Sequence, residues 1–270
     1  MNASMDQEIQ RLREAYTRRD VLGLSRIYSY ANPAFVFHMQ ERERAILRLL
    51  RSGQIRLTGA SVLEIGCGTG HVLQRFLEFG AQRAFGVDLM ESRVDSGKKS
   101  YPNLHLTVGN GAQLPYGDDS FELVVQFMCF SSVLDPSMRQ QIADEMWRVL
   151  RPGGTILSYD LRPCPFVVRL FPLPYYALRR ILRVFTVGRK RIPIGQEESS
   201  PHTPIRPIPI AEVRRMFSRG RMRYGAVSLD FNLCRLSEKS FFLAVLLSYV
   251  PALRTHYLVL IRKPESREMK

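Results

Sequence analysis

A turn with three alternating glycines is the segment of this chain best suited to holding a nucleotide. It follows the apolar run Val62–Ile65 and precedes a helical pattern over 71–79; its glycines are Gly66, Gly68 and Gly70, with Cys67 between the first two. Glycines let a backbone turn sharply and approach a ligand, and the first amides of the next helix point toward it. The segment therefore predicts a buried strand, a ligand-binding turn and a helix.

Two carboxylates accompany this turn. Glu64 lies inside the apolar run, where an acid is costly unless a partner compensates its charge. Asp88 ends the next apolar run, 22 residues beyond Gly66, where a carboxylate can accept hydrogen bonds from both ribose hydroxyls. Leu89 would then pack near the adenine. Asp88 also suits a nicotinamide cofactor, and purely structural roles stay open: a helix cap for Asp88, and bonds to loop amides for Glu64.

The glycine spacing separates two classes of cofactor. The dinucleotide pattern G-x-G-x-x-G would need its third glycine where His71 stands. The pattern present, E-x-G-x-G-x-G, instead resembles the first motif of the class I S-adenosylmethionine-dependent methyltransferases. That resemblance implies that Glu64 lies beneath the methionine part of the donor and contacts its ammonium group, directly or through water.

A second segment, 109–125, resembles the G-D-A-x-x-L-P…F-D-x-V signature of the same family. Asn110 replaces the acid that binds the adenine amine, and Glu122 replaces a later Asp. An amide carbonyl can still accept a hydrogen bond from an amine. The resemblance therefore implies adenine contacts from Asn110, Gly111 and Ala112, without the usual charge.

Two more segments extend the resemblance. Gln126 and Phe127 end the fourth predicted strand and should face the methionine end of the pocket; the run Met128–Ser132 that follows either walls the reacting centre or belongs to the core. Residues 145–154 match the family's R-x-L-x-P-G-G segment, which stops a helix and reverses the chain. The likeness covers residues 45–160 and, more loosely, the final strand. It is greatest to the ubiquinone/menaquinone-methylase-like group, which acts mainly on small molecules.

Alternating strand and helix patterns predict a doubly wound, Rossmann-like α/β fold. Strands are expected at 61–65, 84–88, 104–108, 122–127 and 155–160, with helices at 71–79, 91–99 and 136–150 between them. Later strands at 223–231 and 257–261 would complete the family's seven-stranded, mostly parallel sheet, in which the last strand is antiparallel.

The chain divides into four predicted parts. Residues 1–58 form an N-terminal helical cap over the ligand mouth, 59–160 the donor-binding core, 161–210 a proline-rich basic lid or acceptor insertion after strand five, and 211–270 the completion of the sheet. Helices are expected at 5–17, 21–28, 37–52, 210–217 and 238–250. The apolar run 241–253 is too short to span a bilayer and is predicted to be a core helix or a lid.

The net charge of +14 is unevenly distributed. Residues 1–159 hold 18 basic and 17 acidic side chains, 160–270 hold 21 and 8, and 161–196 contain no acid. Such asymmetry indicates an anionic partner or surface, although an arginine-rich genome would also produce it. The four cysteines include no C-x-x-C pair, so neither a zinc site nor a disulfide framework is expected. With no secretory signal, we expect a cytoplasmic protein.

The predicted activity moves a methyl group from S-adenosylmethionine to a small-molecule acceptor by in-line displacement. S-adenosylhomocysteine is the expected product, and no metal is required. A base would help an acceptor hydroxyl or amine; the candidates are Tyr159 and Asp160, with His38, His71 and His202 on flanking elements. Asp160 would equally suit a capping or loop-anchoring role, and His256 a packing role.

The acceptor and its location depend on the insertion. Its arginines would bind an anionic acceptor, or Phe166–Arg191 would lie on an anionic membrane that holds a lipid-linked acceptor, at the inner membrane face. One alternative is an RNA or DNA methyltransferase, but no N/D-P-P-Y/F tetrapeptide follows strand four. A nucleotide-cofactor oxidoreductase or a non-enzymatic cofactor-binding protein is the other. No feature of the sequence indicates an oligomeric state.

Overall fold

The computed structural model describes residues 3–23, 28–163 and 204–265. Its sheet has seven strands in the order β3-β2-β1-β4-β5-β7-β6. The strands are β1 Ser61–Ile65, β2 Arg83–Asp88, β3 His105–Val108, β4 Phe121–Phe127, β5 Leu150–Leu161, β6 Arg221–Leu229 and β7 Arg254–Arg262. Strand β7 runs antiparallel to both of its neighbours, and the other strands share one direction. The predicted fold class is confirmed.

The described helices lie on both faces of the sheet. They are α1 Ala3–Val21, α2 Pro33–Ser52, α3 His71–Glu78, α4 Glu91–Ser100, α5 Cys129–Ser132, α6 Pro136–Val149, α7 Ile210–Met216, α8 Phe231–Cys234 and α9 Phe241–Ser248. Short 3-10 turns occupy Arg235–Glu238 and Pro251–Leu253. The helix starts follow local chemistry: Asn32 and Asp135 cap α2 and α6 through their side chains, and each is followed by a proline.

Burial of the sheet on both faces explains its apolar strands. All five residues of β1 are buried. Leu63 and Ile65 join a core with α6 and α7, whereas Val62 points the other way, into a core shared with α2 and α3. Glu64 is on the second of these faces. Its carboxylate therefore lies in an otherwise apolar layer.

Two boundaries near the N-terminus differ from the predictions. Helix α1 continues to Val21, which was expected to begin a separate helix over 21–28. Residues 24–27 of that expected helix lie outside the described residues. Helix α2 begins four residues earlier than expected, at Pro33, because Asn32 accepts a hydrogen bond from the Ala34 amide. The short helix α5 was not predicted.

The segment Arg151–Gly154 was expected to precede strand five, but it is part of strand β5. Helix α6 passes directly into β5, which begins at Leu150 and bulges between the pairs Phe121–Leu150 and Leu123–Thr155. Gly153 adopts a left-handed φ of 74° within this bulge. The proline and glycines therefore bend a strand instead of forming a hairpin.

The C-terminal part also departs from the predictions. Strand β6 ends at Leu229, because Asp230 caps α8 by accepting from the Asn232 amide. Helix α9 does not lie within the core: Ala244 and Ser248 are buried, but Phe242 on its opposite face is 77% exposed. Of the two predicted alternatives, a core helix or a lid, the core helix is correct for the inner face alone, and the lid stays a prediction.

Most of the predicted insertion, including Phe166–Arg191 and His202, lies outside the described residues. The described end of the insertion, residues 204–210, forms hydrogen bonds with α5 and with β5. The Arg206 amide donates to the Ser131 carbonyl at 2.8 Å, and the Ile208 amide to the Leu161 carbonyl at 3.0 Å. Within the described ranges, no helix combines the length and apolar character needed to cross a membrane.

Candidate functional site

A cavity opens at the carboxyl edge of the sheet, where β1 to β4 end. Its empty space, including solvent at the mouth, is about 710 Å³. The turns after the four strands supply much of its wall: Gly66, Gly68, Asp88, Leu89, Met90, Gly109, Gly111, Phe127, Met128 and Cys129. Ligands of open α/β sheets bind at this edge, because the strand order reverses between β1 and β4.

Helix α1 covers part of this cavity. Leu12 and Tyr16 contribute to its lining, and the Tyr16 hydroxyl lies 3.0 Å from the Ser132 hydroxyl. The Arg93 guanidinium lies 4.5 Å from the centre of the Tyr16 ring and pairs with Asp20, also on α1. The sequence predicted coverage by the N-terminal part. It contained no local signal that Tyr16 would be the residue facing the ligand.

Polar contacts hold α1 in this position. The buried Glu8 carboxylate accepts from the backbone amide of Leu134, and Arg11 donates to the Ser132 carbonyl at 2.7 Å. Burial opposes ionisation of Glu8, but the hydrogen bonds from Arg11 and Leu134 outweigh it and lower the pKa of Glu8. The cover is thus attached to the loop that follows β4.

The three glycines of the turn have left-handed φ angles of 71°, 55° and 80°, which explains the residue type. A Cβ atom on Gly68 would have no neighbour within 4 Å, whereas one on Gly70 would lie 2.6 Å from Leu104 Cδ1. Gly68 therefore faces open space, and Gly70 serves close packing against the β3 side. Cys67 is similar to Gly70, because its buried sulfur packs over Gly86 of β2.

Asp88 is bonded to the glycine turn. Its two carboxylate oxygens accept from the amides of Gly68, at 2.7 Å, and Met90, at 2.9 Å. Burial raises the pKa of Asp88, and these two bonds offset part of that rise. Each oxygen retains a free lone pair for a ligand hydroxyl. The capping role and the ligand-binding role that the sequence left open are therefore compatible.

Glu64 has an unsatisfied oxygen. Its side chain is 1% exposed, and Oε2 has no hydrogen-bond partner among the residues that the structure describes. Burial raises the pKa of Glu64 well above its ordinary value, although Arg42 of α2 acts in the opposite direction. A buried carboxyl in this state would be stabilised by a cationic ligand group.

Arg42 is the functional candidate that sequence reasoning missed. Its side chain is 6% exposed, Nε lacks a hydrogen-bond partner among the described residues, and the guanidinium lies 5.0 Å from the centre of the Phe127 ring. Phe127 in turn lines the cavity. An arginine within a polar helical segment has the pattern of a surface residue, so only the packing of α2 on the sheet reveals that it is buried.

Gln126 and Asp160 lie behind the cavity wall. Among the described contacts, the Gln126 amide donates to Asp160 Oδ2 at 3.1 Å and accepts from the Cys129 amide at 2.8 Å. Asp160 also accepts from the Ser131 amide at 3.2 Å. Both side chains are fully buried, and burial raises the pKa of Asp160 to about 6. These contacts favour the loop-anchoring role for Asp160, because they hold α5 in place.

Tyr159 points to the opposite face of β5. Its hydroxyl donates to Ser228 Oγ at 2.8 Å and lies 3.0 Å from His38 Nε2, and its ring stacks on His256 at 4.7 Å. Burial lowers the pKa of His38 to about 3 and that of His256 well below its ordinary value. Burial likewise lowers the pKa of His71, to about 4. These imidazoles are neutral at physiological pH.

The residues predicted to contact the adenine, 110–112, also differ in whether they border the cavity. Gly111 lines the cavity, and a Cβ there would lie 2.6 Å from Ile65 Cγ2. Asn110 turns toward its own loop: Oδ1 accepts from the Ala112 amide at 2.9 Å, and Nδ2 faces the Met5 sulfur at 3.6 Å. Ala112 packs against the core that contains α6. Of the predicted adenine contacts, Gly111 is thus the one that borders the cavity.

Residues 62–154, which contain all of these turns, match the family described as the methyltransferase domain. Over these residues the chain is similar to a methyltransferase domain. The match includes Glu64, the glycine turn and Asp88, which together carried the resemblance in the sequence.

Similarity to curated proteins is confined to part of each chain. A probable S-adenosylmethionine-dependent methyltransferase of Mycolicibacterium smegmatis is 37% identical over 38% of this chain and 38% of its own. The phthiotriol/phenolphthiotriol dimycocerosates methyltransferase of Mycobacterium tuberculosis is 36% identical over 41% of each chain. The ubiquinone/menaquinone biosynthesis C-methyltransferase of Vibrio vulnificus is 28% identical over 48% of this chain and 57% of its own. The matched regions thus span about two fifths to three fifths of these relatives.

Solved structures share the fold over a longer stretch. The magnesium protoporphyrin IX methyltransferase of Synechocystis, solved with bound S-adenosylhomocysteine, has a TM-score of 0.58 and 15% identity over 93% of this chain and 97% of its own. A putative methyltransferase from a Haloferax volcanii complex has a TM-score of 0.56 and 18% identity, over 84% and 91%. At these identities the likeness establishes the methyltransferase fold.

Proposed function

We propose that this protein transfers the methyl group of S-adenosylmethionine to a small, largely apolar acceptor. The observation that carries the proposal is Glu64: a buried carboxyl with an oxygen that has no hydrogen-bond partner among the described residues, two residues before a glycine turn whose Gly66 and Gly68 line the cavity. Such a group suits the ammonium end of the donor. It has no comparable use in holding the pyrophosphate of a dinucleotide.

The residues present fit this donor from end to end. Asp88 would hold the ribose hydroxyls, and Leu89, Gly109 and Gly111 would border the adenine. At the other end, Arg42 is buried close enough to Glu64 to lower its pKa, and the two side chains carry opposite charges when Glu64 is ionised. That pair is complementary to an amino acid, with Glu64 toward the ammonium and Arg42 toward the carboxylate.

The bound sulfonium supplies an electrophilic methyl group that a nucleophile can displace in line. The protein's task is therefore to position the two reactants and exclude water. Tyr16 and Leu12 on α1 cover the cavity, and Phe127 and Met128 form its wall after β4. Met128 has a left-handed φ of 65°, which is uncommon for a residue with a side chain, and its amide donates to the Tyr159 carbonyl at 2.8 Å.

The cavity wall supports an apolar acceptor. Leu12, Val133, Met138 and Ile142 give its lining a largely apolar character. Two curated relatives are named for phthiotriol/phenolphthiotriol dimycocerosates and for ubiquinone/menaquinone biosynthesis, and an apolar acceptor would fit both names. Tyr159 and Asp160, engaged in buried hydrogen bonds, are proposed as positioning residues for α5 and α2 instead of as bases.

Equilibrium binding tests the identity of the methyl donor, and a methyl-transfer assay tests the activity. Calorimetry should show binding of S-adenosylmethionine and S-adenosylhomocysteine but not of NAD; a preference for NAD would refute the proposal. Labelled S-adenosylmethionine, incubated with the protein and a fractionated lipid extract, should then mark an organic-soluble product. Label found only in nucleic acid would contradict the small-molecule acceptor.

A further inference from the structure

Helix α9 carries an exposed apolar surface. Six large apolar side chains within residues 241–250 are more than a third exposed: Phe241, Phe242, Leu243, Leu246, Tyr249 and Val250. Phe242, Leu246 and Tyr249 are spaced by one and two helical turns, so they lie on one side of the helix. We call these six residues the α9 face. Monomeric proteins rarely expose contiguous apolar surface without a partner.

The helix beneath this face is firmly attached. Ala244 and Ser248 are buried, and Ala244 belongs to a core cluster with Phe37 of α2 and Leu233 of α8. The Phe241 ring packs edge-on against Phe37, 5.7 Å between ring centres. Ser240 caps the helix by accepting from the Leu243 amide. The exposed side chains are therefore presented by a helix that is held at its inner side.

The α9 face and the cavity lie at the same edge of the sheet. Strand β7 runs antiparallel, so its first residue, Arg254, lies beyond the carboxyl end of β5, where Leu161 pairs with His256. The 3-10 turn Pro251–Leu253 joins α9 to that point, and Arg162 donates to the Pro251 carbonyl. Two strand spacings, roughly 10 Å, separate β7 from β4. A surface that contacts α9 would therefore lie at the edge of the sheet where the cavity opens.

The charges around α9 are mostly positive. Arg162, Arg235, Lys239 and Arg254 lie next to α9 in sequence or in space, with Glu238 as the adjacent acid. The part of the chain from 160 onward has 21 basic and 8 acidic side chains. This combination matches an anionic lipid surface, because the acyl chains accommodate apolar and aromatic side chains and the head groups attract the cations.

We infer that α9 docks the protein onto an anionic phospholipid membrane, with Phe242, Leu246 and Tyr249 inserted among the lipids. Docking needs no methyl transfer, but it deepens the proposed function, because it would place the cavity beside an acceptor dissolved in the bilayer. The expected contact is peripheral, through one short helix.

Vesicle co-sedimentation of the full chain tests the docking. The wild type should bind vesicles containing phosphatidylglycerol better than vesicles of phosphatidylcholine alone, and added salt should weaken the binding. A Phe242→Ser, Leu246→Ser double variant should bind at least about tenfold more weakly, since two apolar side chains no longer insert. The matched control, Val21→Ser with Leu22→Ser, removes two apolar residues of similar exposure at the end of α1 and should bind like the wild type.

Other occupants of the α9 face give different results. If a second copy of the chain covers it, light scattering will show a dimer that the double variant disrupts, and vesicles will bind neither protein. If residues 164–203 cover it, the wild type will stay in the supernatant as a monomer. Either result overturns the inference, as does undiminished vesicle binding by the double variant. Binding of S-adenosylmethionine, measured in parallel without lipid, separates this failure from failure of the proposed function.

Discussion

The two halves of the sheet use buried polar groups in opposite ways. At the edge formed by β1, β2 and β4, Glu64 has an oxygen without a partner among the described residues, and Asp88 keeps lone pairs beside an open cavity. On β5, Tyr159 and Asp160 instead hydrogen-bond to neighbouring side chains and amides away from the cavity. Unsatisfied groups are suited to a ligand, and saturated groups stabilise the scaffold. Changes in the first half should therefore alter donor affinity, and changes in the second should alter stability.

The largest expected effect concerns Asp160. Its pKa of about 6, raised by burial from 3.8, means that the folded protein binds this proton more tightly than the unfolded chain. The free energy of unfolding should therefore fall as pH rises from about 4 to 6, by about 3 kcal/mol from this group. Urea denaturation across this range should show that the free energy of unfolding of the wild type falls by about this amount more than that of the Asp160→Asn variant. An equal pH dependence of both proteins would contradict the assignment.

Asp88→Ala should weaken donor binding by about 2 kcal/mol, roughly thirtyfold, because charge-assisted bonds to the ribose are lost. Calorimetry with S-adenosylhomocysteine measures the change. Asp95→Ala, an exposed acid on α4, is the matched control and should bind as the wild type does. Unchanged affinity in Asp88→Ala would remove Asp88 from the donor site.

Tyr159→Phe should lower the free energy of unfolding by about 1.5 kcal/mol, because it leaves Ser228 and His38 without their shared hydroxyl. Donor affinity should not change, since the side chain faces away from the cavity. Denaturation and calorimetry on the same preparation separate the two quantities. A loss of affinity at full stability would show that Tyr159 belongs to the site after all.

Glu64→Gln should produce the smallest change, a loss of donor affinity of about 1 kcal/mol, or about fivefold. The more telling result is its pH dependence. Since burial raises the pKa of Glu64, ionisation at higher pH should strengthen wild-type binding of a cationic ligand group, and the variant should lack this component. Parallel affinity curves for the two proteins would contradict a role for the Glu64 charge.

The first half of the sheet was predictable because its function depends on short segments. A glycine turn, an acid within a strand and an acid at a strand end each impose a backbone geometry that few residues allow. The predicted strands β1 and β2 accordingly match the observed ones within one residue at each end. Gly70 and Cys67 lie in the same motif but face the core, so the motif did not reveal which members border the ligand.

The second half was less predictable because its contacts join distant residues. Tyr159 and Asp160 are neighbours in sequence, yet strand alternation places them on opposite faces of the sheet. The residues that each of them contacts cannot be predicted from the adjacent sequence. The strand bulge at 151–154 was taken for a chain reversal, since proline and glycine serve both. Helix α9 is apolar on nearly every side, so its pattern could not distinguish the buried face from the exposed one.

The sequence by itself determined the fold class, with its antiparallel last strand, and located the glycine turn that we propose binds the donor, because those features follow from local backbone requirements and from the family resemblance that they carry. Only the tertiary structure decided that Arg42 is buried where it lowers the pKa of Glu64, that Tyr16 covers the cavity, that Asp160 anchors α5 and that the outer face of α9 stays exposed. Each of these depends on the packing of elements far apart in the chain, where burial, and not residue type, decides whether a charge or an apolar side chain meets a partner.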